Sequence, residues 1–136
     1  MVILVDTNVL LDIFLQREKL YQESLEAIEK AIFSQATILF PSSSVKDIYY
    51  FVSKQTHNKS KAKQSILKLF DFTEIVEVNK NNIIEAIDSN MNDYEDAIID
   101  SIASRENAQY IITRNKKDFE YSKVKAITPK EFLALF

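Results

Sequence analysis

Hydrophobic residues in this chain follow two rhythms. Short apolar runs, VILV at 2–5, ATILF at 36–40, EIVEV at 74–78, QYIIT at 109–113 and VKAI at 124–127, have the length and branched composition of buried strands. Between them apolar residues recur at helical spacing, as in Val9, Leu10, Ile13 and Phe14, and again in Val45, Ile48, Tyr49, Phe51 and Val52. The pattern predicts helices at about 8–16 and 20–34, another after Pro41 with the serines of SSSVKDIYYFV as its cap, and further helices near 60–70, 80–89 and 94–106. In the closing TPKEFLALF, Thr128, Pro129 and Glu131 supply a cap, a first-turn proline and a capping-box acid for a last helix. Strands alternating with helices imply an α/β, three-layer sandwich: a central parallel sheet of about five strands, covered by helices on both faces.

Composition narrows the function classes. A length of 136 residues suits one domain spanning 1–136. With no cysteine, a disulfide framework and a thiolate metal site are both excluded, and a cytoplasmic location is expected. The first strand starts directly after Met1, leaving no room for a signal peptide, and no apolar run approaches the ~20 residues of a membrane span. The chain also has no glycine, which excludes phosphate-binding loops built on it. A net charge of −3 argues against a wholly basic nucleic-acid binder but leaves room for a local basic patch. His57, the single histidine, lies in the polar stretch QTHNKSKAK and is expected in a solvated loop.

The acids carry the candidate chemistry. Asp6 ends the first strand, and the carboxyl edge of a parallel sheet is where open α/β folds place ligands. Asp47 follows the second strand, and in NDYEDAIIDSIASRE the residues Asp93, Asp96 and Asp100 share an arc of about 60° on a helix. Strand QYIIT then ends at Thr113, Arg114 and Asn115. In a parallel sheet these junctions share one edge, so the carboxylates can converge on a Mg²⁺ or Mn²⁺ ion, which prefers hard oxygen ligands. Each acid also has a structural reading. Asp6 can cap the first helix, Asp47 can complete a capping box with Ser44, and the acidic stripe can be a solvated helix start.

With VILVDTNVLLDIF, SSSVKDIYYF, NDYEDAIIDSIA, TRNKKDF and ITPKEFL in that order, the chain resembles the PIN-domain family of metal-dependent nucleases, which includes the toxins of VapBC-type toxin–antitoxin pairs. The resemblance implies Asp6, Asp47 and Asp96 as catalytic metal ligands, with Asp93 as an auxiliary acid and Thr7, Asn8 and Thr113 as supporting polar groups. It departs from the family twice. Asp47 stands where glutamate is usual, and Asn115 stands where many members carry a fourth acid, offering only a neutral carbonyl to the metal. Asp118, beyond Lys116 and Lys117, can reach the site only if the chain turns back sharply.

The implied activity is an Mg²⁺- or Mn²⁺-dependent endoribonuclease acting on single-stranded or structured RNA through metal-activated water. Lys54, Lys59, Lys61, Lys63, Arg114, Lys116 and Lys117 are the candidate contacts to RNA phosphates, or else merely solvated. Expected partners are RNA, a small antitoxin and a second copy of the chain in a homodimer or higher homo-oligomer, with no membrane. Two alternatives remain: a non-catalytic PIN-like domain that binds RNA or protein, and a haloacid-dehalogenase-like phosphatase. The phosphatase chemistry wants a second aspartate where this chain has Asn8.

Overall fold

The computed structural model describes residues 1–136. Its strands are β1 (Val2–Val5), β2 (Thr37–Pro41), β3 (Glu74–Val76), β4 (Tyr110–Ile112) and β5 (Lys125–Ile127). Its helices are α1 (Thr7–Phe14), α2 (Tyr21–Phe33), α3 (Ser42–Thr56), α4 (Lys59–Phe72), α5 (Lys80–Asp88), α6 (Tyr94–Arg105) and α7 (Pro129–Leu133), with a 3₁₀ turn at Lys116–Phe119. The strands form one sheet in the order β3-β2-β1-β4-β5, with every pairing parallel. The expected architecture is present, and element ends differ from the sequence expectation by one or two residues.

Alternation along each strand divides the core. Ile3, Val5, Ile38, Phe40, Ile112 and Ile127 enter one buried cluster with Val9 and Leu10 of α1, Ile28 of α2, Ile48 of α3 and Phe132 of α7. Their neighbours Leu4, Leu39, Ile111 and Ala126 enter the other, with Ala97 and Ile102 of α6 and Phe119 of the 3₁₀ turn. Successive side chains of a strand point to opposite faces, so unbroken apolar runs are what a two-faced sheet requires.

Two local details differ from the sequence reading. The serines do not cap α3: Pro41 occupies the cap position, no side chain caps the helix, and Ser44 is buried inside its first turn. With Ser44 already helical, no capping box involving Asp47 forms. His57 ends α3 in the left-handed region, at φ 53°. Such helix ends favour glycine, and in a glycine-free chain Gln16, Gln35 and Asn107 also adopt positive φ.

The topology sets the site. From β1 the chain moves outward to β2 and β3, then returns to β4 on the other side of β1. The reversal opens a crevice at the carboxyl ends of β1 and β4, the usual ligand position in such sheets.

Candidate active site

Asp6 lies at this crevice. It is the N-cap of α1, with Oδ1 accepting from the Thr7 backbone N–H at 2.8 Å. Its Oδ2 accepts from Thr113 Oγ1 at 2.8 Å and from Asn8 Nδ2 at 3.3 Å. Because Val5 pairs with Ile112, Thr113 follows directly beside Asp6. Only 7% of Asp6 is exposed. Burial pushes its carboxyl above the ordinary range; the bonds from Thr113 and Thr7 and the Arg114 charge oppose the rise, and the Asp118 charge adds to it. The capping role is therefore real, and it does not exclude a second role at the crevice.

Three other segments bring acids to the same place. Asp93 caps α6 by accepting from the Asp96 N–H at 2.9 Å, and Asp96 sits in the first helical turn. Asp47 comes from α3, and Asn115 and Asp118 come from the loop after β4. All of them, with Asp6, Thr7 and Asn8, line an open pocket of about 530 Å³. Asp96 is pushed up to about 7, first by partial burial and then by the charges of Asp6, Asp93, Asp118 and Glu95. The four ion pairs in the structure are Arg17–Asp12, Arg105–Glu106, Arg114–Asp12 and Lys116–Glu131. None neutralises Asp6, Asp47, Asp96 or Asp118.

A match to the PIN-domain family model spans residues 2–117. The chain belongs to the PIN-domain family. This PIN domain is 30% identical over 135 residues to Ribonuclease VapC1 of Aquifex aeolicus, covering 96% of this chain and 92% of that protein. In fold it matches VapBC2 of Rickettsia felis, bound to a fragment of promoter DNA, with a TM-score of 0.71, 20% identity, and 94% and 98% of the two chains covered. It also matches VapC20 of Mycobacterium tuberculosis, a toxin cleaving the sarcin-ricin loop, with a TM-score of 0.67, 9% identity, and 90% and 98% covered.

Asp118, which sequence spacing lets reach the site only through a sharp reversal, lines the pocket. The 3₁₀ turn, closed by Asp118 N–H donating to Asn115 C=O at 2.9 Å, is the sharp reversal that brings it in. Asp100 leaves the acidic stripe: it is 5% exposed, and its two oxygens accept from the backbone N–H groups of Lys123 and Val124, each at 2.9 Å. It ties α6 to the loop before β5.

The basic residues also sort differently. Arg114 turns to Asp12, its Nε 2.7 Å from Oδ2 although the N–H makes no hydrogen bond, and Lys116 contacts both Glu131 oxygens at 3.0 Å. Lys54 stands over the Tyr50 ring at 5.5 Å. Neither these nor Lys59, Lys61, Lys63 or Lys117 line the acidic pocket. The cations that do are Arg17 and Lys46. Arg17 sits in no strand-end motif, and Lys46, although beside Asp47 in SSSVKDIYYF, is placed at the pocket only by the packing of α3.

Crowded acids make stability depend on pH. The Asp96 carboxyl is raised from 3.8 to about 7 on folding, so the folded state binds its proton more tightly. Its contribution is fully present below about pH 3.8 and is lost as pH rises through about 7. The metal-free protein is expected to lose melting temperature as pH rises from 3.8 to about 7, and Asp96→Asn should flatten that slope. Thermal scans in chelator at several pH values check it; an equal slope in the variant would remove Asp96 as its source.

Proposed function

We propose that this PIN domain is a Mg²⁺- or Mn²⁺-dependent endoribonuclease, of the kind that acts as the toxin of a toxin–antitoxin pair. The observation that carries the reading is the set of carboxylates that four separate segments bring to one pocket at the switch point of the sheet, none of them in an ion pair and with Asp6, Asp93, Asp96 and Asp118 close enough for like charge to raise the Asp96 carboxyl. The kinship with a ribonuclease supports RNA as substrate.

The donors fit a hard divalent cation. Every polar group the acids offer is oxygen, and Asn115 can add a carbonyl. No three acids approach closely enough to enclose an ion by themselves. An open arrangement suits a cation that keeps several waters. Asp6, Asp47, Asp96 and Asp118 would hold it, with Asp93 beside them in the pocket; when bound, it would polarise a phosphate oxygen and supply water of lowered pKa. Thr113 and Asn8 hold Asp6 in one orientation, so its carboxylate is preorganised. A bound cation would favour the ionised form of Asp96, offsetting the burial and like charges that raise its carboxyl in the metal-free site. Arg17 and Lys46 at the wall can receive the phosphate charge. No protein nucleophile is needed.

A non-catalytic reading rests on Asn115 standing where an acid is expected. Asp118, facing the same pocket from the same turn, compensates for the missing charge. Family membership and Asn8 together argue against the phosphatase. An antitoxin inserting a basic side chain among these acids is the expected inhibitor, and exposed Phe33, Leu67, Phe70 and Ile87 leave apolar surface for it or for a second copy of the chain.

Two measurements test the reading together. Single-stranded RNA should be cut with Mn²⁺ and left whole with chelator. Mg²⁺ or Mn²⁺ at ten times its dissociation constant should stabilise the fold by about 1.4 kcal/mol, or roughly 4–6 °C. Cleavage that persists in chelator, or no thermal shift with either ion, would overturn the metal mechanism.

A further inference from the structure

Beyond the acidic pocket lies a second groove of about 510 Å³, based on Phe14 and Val52 and flanked by Gln55, Gln64, Lys61 and Lys68. Consecutive residues line the two concavities: Arg17 the acidic one and Gln16 the other. The backbone at these two residues is held. Gln16 is left-handed at φ 48°, and the Arg17 N–H donates to Asp12 C=O at 3.0 Å, the closing bond of a Schellman-type helix end. The Arg17 side chain is held less tightly. Its Nη1 lies 3.5 Å from Asp12 Oδ1, while the other Asp12 oxygen takes Ser24 at 2.9 Å and Arg114 at 2.7 Å. Asp12 shares its single charge between Arg17 and Arg114, so Arg17 is left incompletely neutralised next to the residue that lines the second groove.

Helix α4 sorts its lysines by face. Lys61 and Lys68 lie within about 20° of each other around the helix and face the groove, whereas Lys59 and Lys63 lie about 160° away. Resting on the nuclease reading, we propose that the second groove carries the single-stranded RNA flanking the cleaved phosphate, with Arg17 bridging the two. Acidic and basic concavities in series suit this occupant: the ion site takes the reacting phosphate, and Lys61 and Lys68 neutralise the phosphates beside it. Glutamine amides offer both donors and acceptors to base edges, and Phe14 offers an apolar face for stacking. This assigns the sequence-predicted Lys61 to substrate, adds Lys68 and Arg17, and releases Lys59 and Lys63.

The test compares two double variants that remove equal charge, Lys61→Ala with Lys68→Ala and Lys59→Ala with Lys63→Ala. Binding of a fluorescein-labelled single-stranded RNA is measured across salt concentrations in an Asp6→Asn background, and cleavage is followed in the otherwise wild-type chain. The groove pair should make the salt dependence shallower by about 1.4, at about 0.7 per lost contact, and raise KM while kcat holds; Arg17→Ala should remove about 0.7. The opposite-face pair should leave the slope unchanged. Equal slopes for both pairs would mean a diffuse field and overturn the groove assignment. If the groove pair binds and cuts RNA like wild type, the groove proposal fails and the nuclease reading stands. If the wild-type chain neither cuts nor binds RNA, the nuclease reading fails and takes the groove with it. A groove pair that loses only an acidic protein partner would identify a protein-docking surface instead, again overturning the proposal.

Discussion

Asp6→Asn is expected to reduce RNA cleavage by at least about a hundredfold while the fold is retained. Changing groups that merely orient a metal ligand costs about 10–100-fold in affinity or activity, so removing the charge of a ligand should cost at least the upper figure. The cap survives the swap, although one amide oxygen cannot serve every donor that the two carboxylate oxygens do. An asparagine oxygen can accept from Thr7 or Thr113 as the aspartate does, and asparagine caps helices about as well. Burial holds the Asp6 carboxyl above its ordinary range, so the ionised group opposes folding at neutral pH. The metal-free variant should therefore melt higher than wild type, and its response to Mn²⁺ should largely vanish. Cleavage assays beside thermal scans with and without Mn²⁺ decide it. Full cleavage by Asp6→Asn would leave Asp6 as a helix cap and nothing more.

Asp118→Ala is expected to weaken Mn²⁺ binding by about 10–100-fold, comparable with Asp96→Ala. Sequence spacing suggests a smaller effect than for Asp96, because two lysines separate Asp118 from the strand end. The 3₁₀ turn changes that expectation: Asp118 shares the pocket with Asp6 and Asp96, and its charge raises both their carboxyls. Asn115→Asp should act in the opposite direction, since a carboxylate binds a hard cation more strongly than a neutral carbonyl. Calorimetric titration of Mn²⁺ into the three variants measures this. If Asp118→Ala binds Mn²⁺ like wild type, the acid of the turn belongs to the rim and not to the ion site.

Much of this architecture was legible along the chain because it depends on local pattern. Unbroken runs such as VILV and YII can bury both faces only in a covered parallel sheet, and β1 to β5 fall where those runs are. Asp6 and the Thr113 neighbourhood could be placed together from sequence, since parallel strands bring their carboxyl ends to one edge. Asp47 lies on the helix that succeeds β2, and Asp96 on the helix that leads into β4. The helical wheel misled at Asp100. It gives angle but not height, and one turn beyond Asp96, about 6 Å along the axis, the carboxylate meets the Lys123–Val124 backbone instead of the pocket.

What the sequence determined by itself is therefore the element order, the parallel sheet, the family motifs and the strand-end acids, all set by residues near one another in the chain or by the geometry of βα junctions. Tertiary structure alone decided the partners of the charges. Arg114 and Lys116 look equally available after β4, yet one is drawn to fully buried Asp12 and the other to Glu131 at the start of α7. Arg17, unremarkable in sequence, reaches the pocket because α1 ends beside it. The physical reason is range. Apolar periodicity selects a local conformation through burial, whereas a charge settles where distant segments leave it desolvated, paired or opposed, and that is known only once the chain has closed around it.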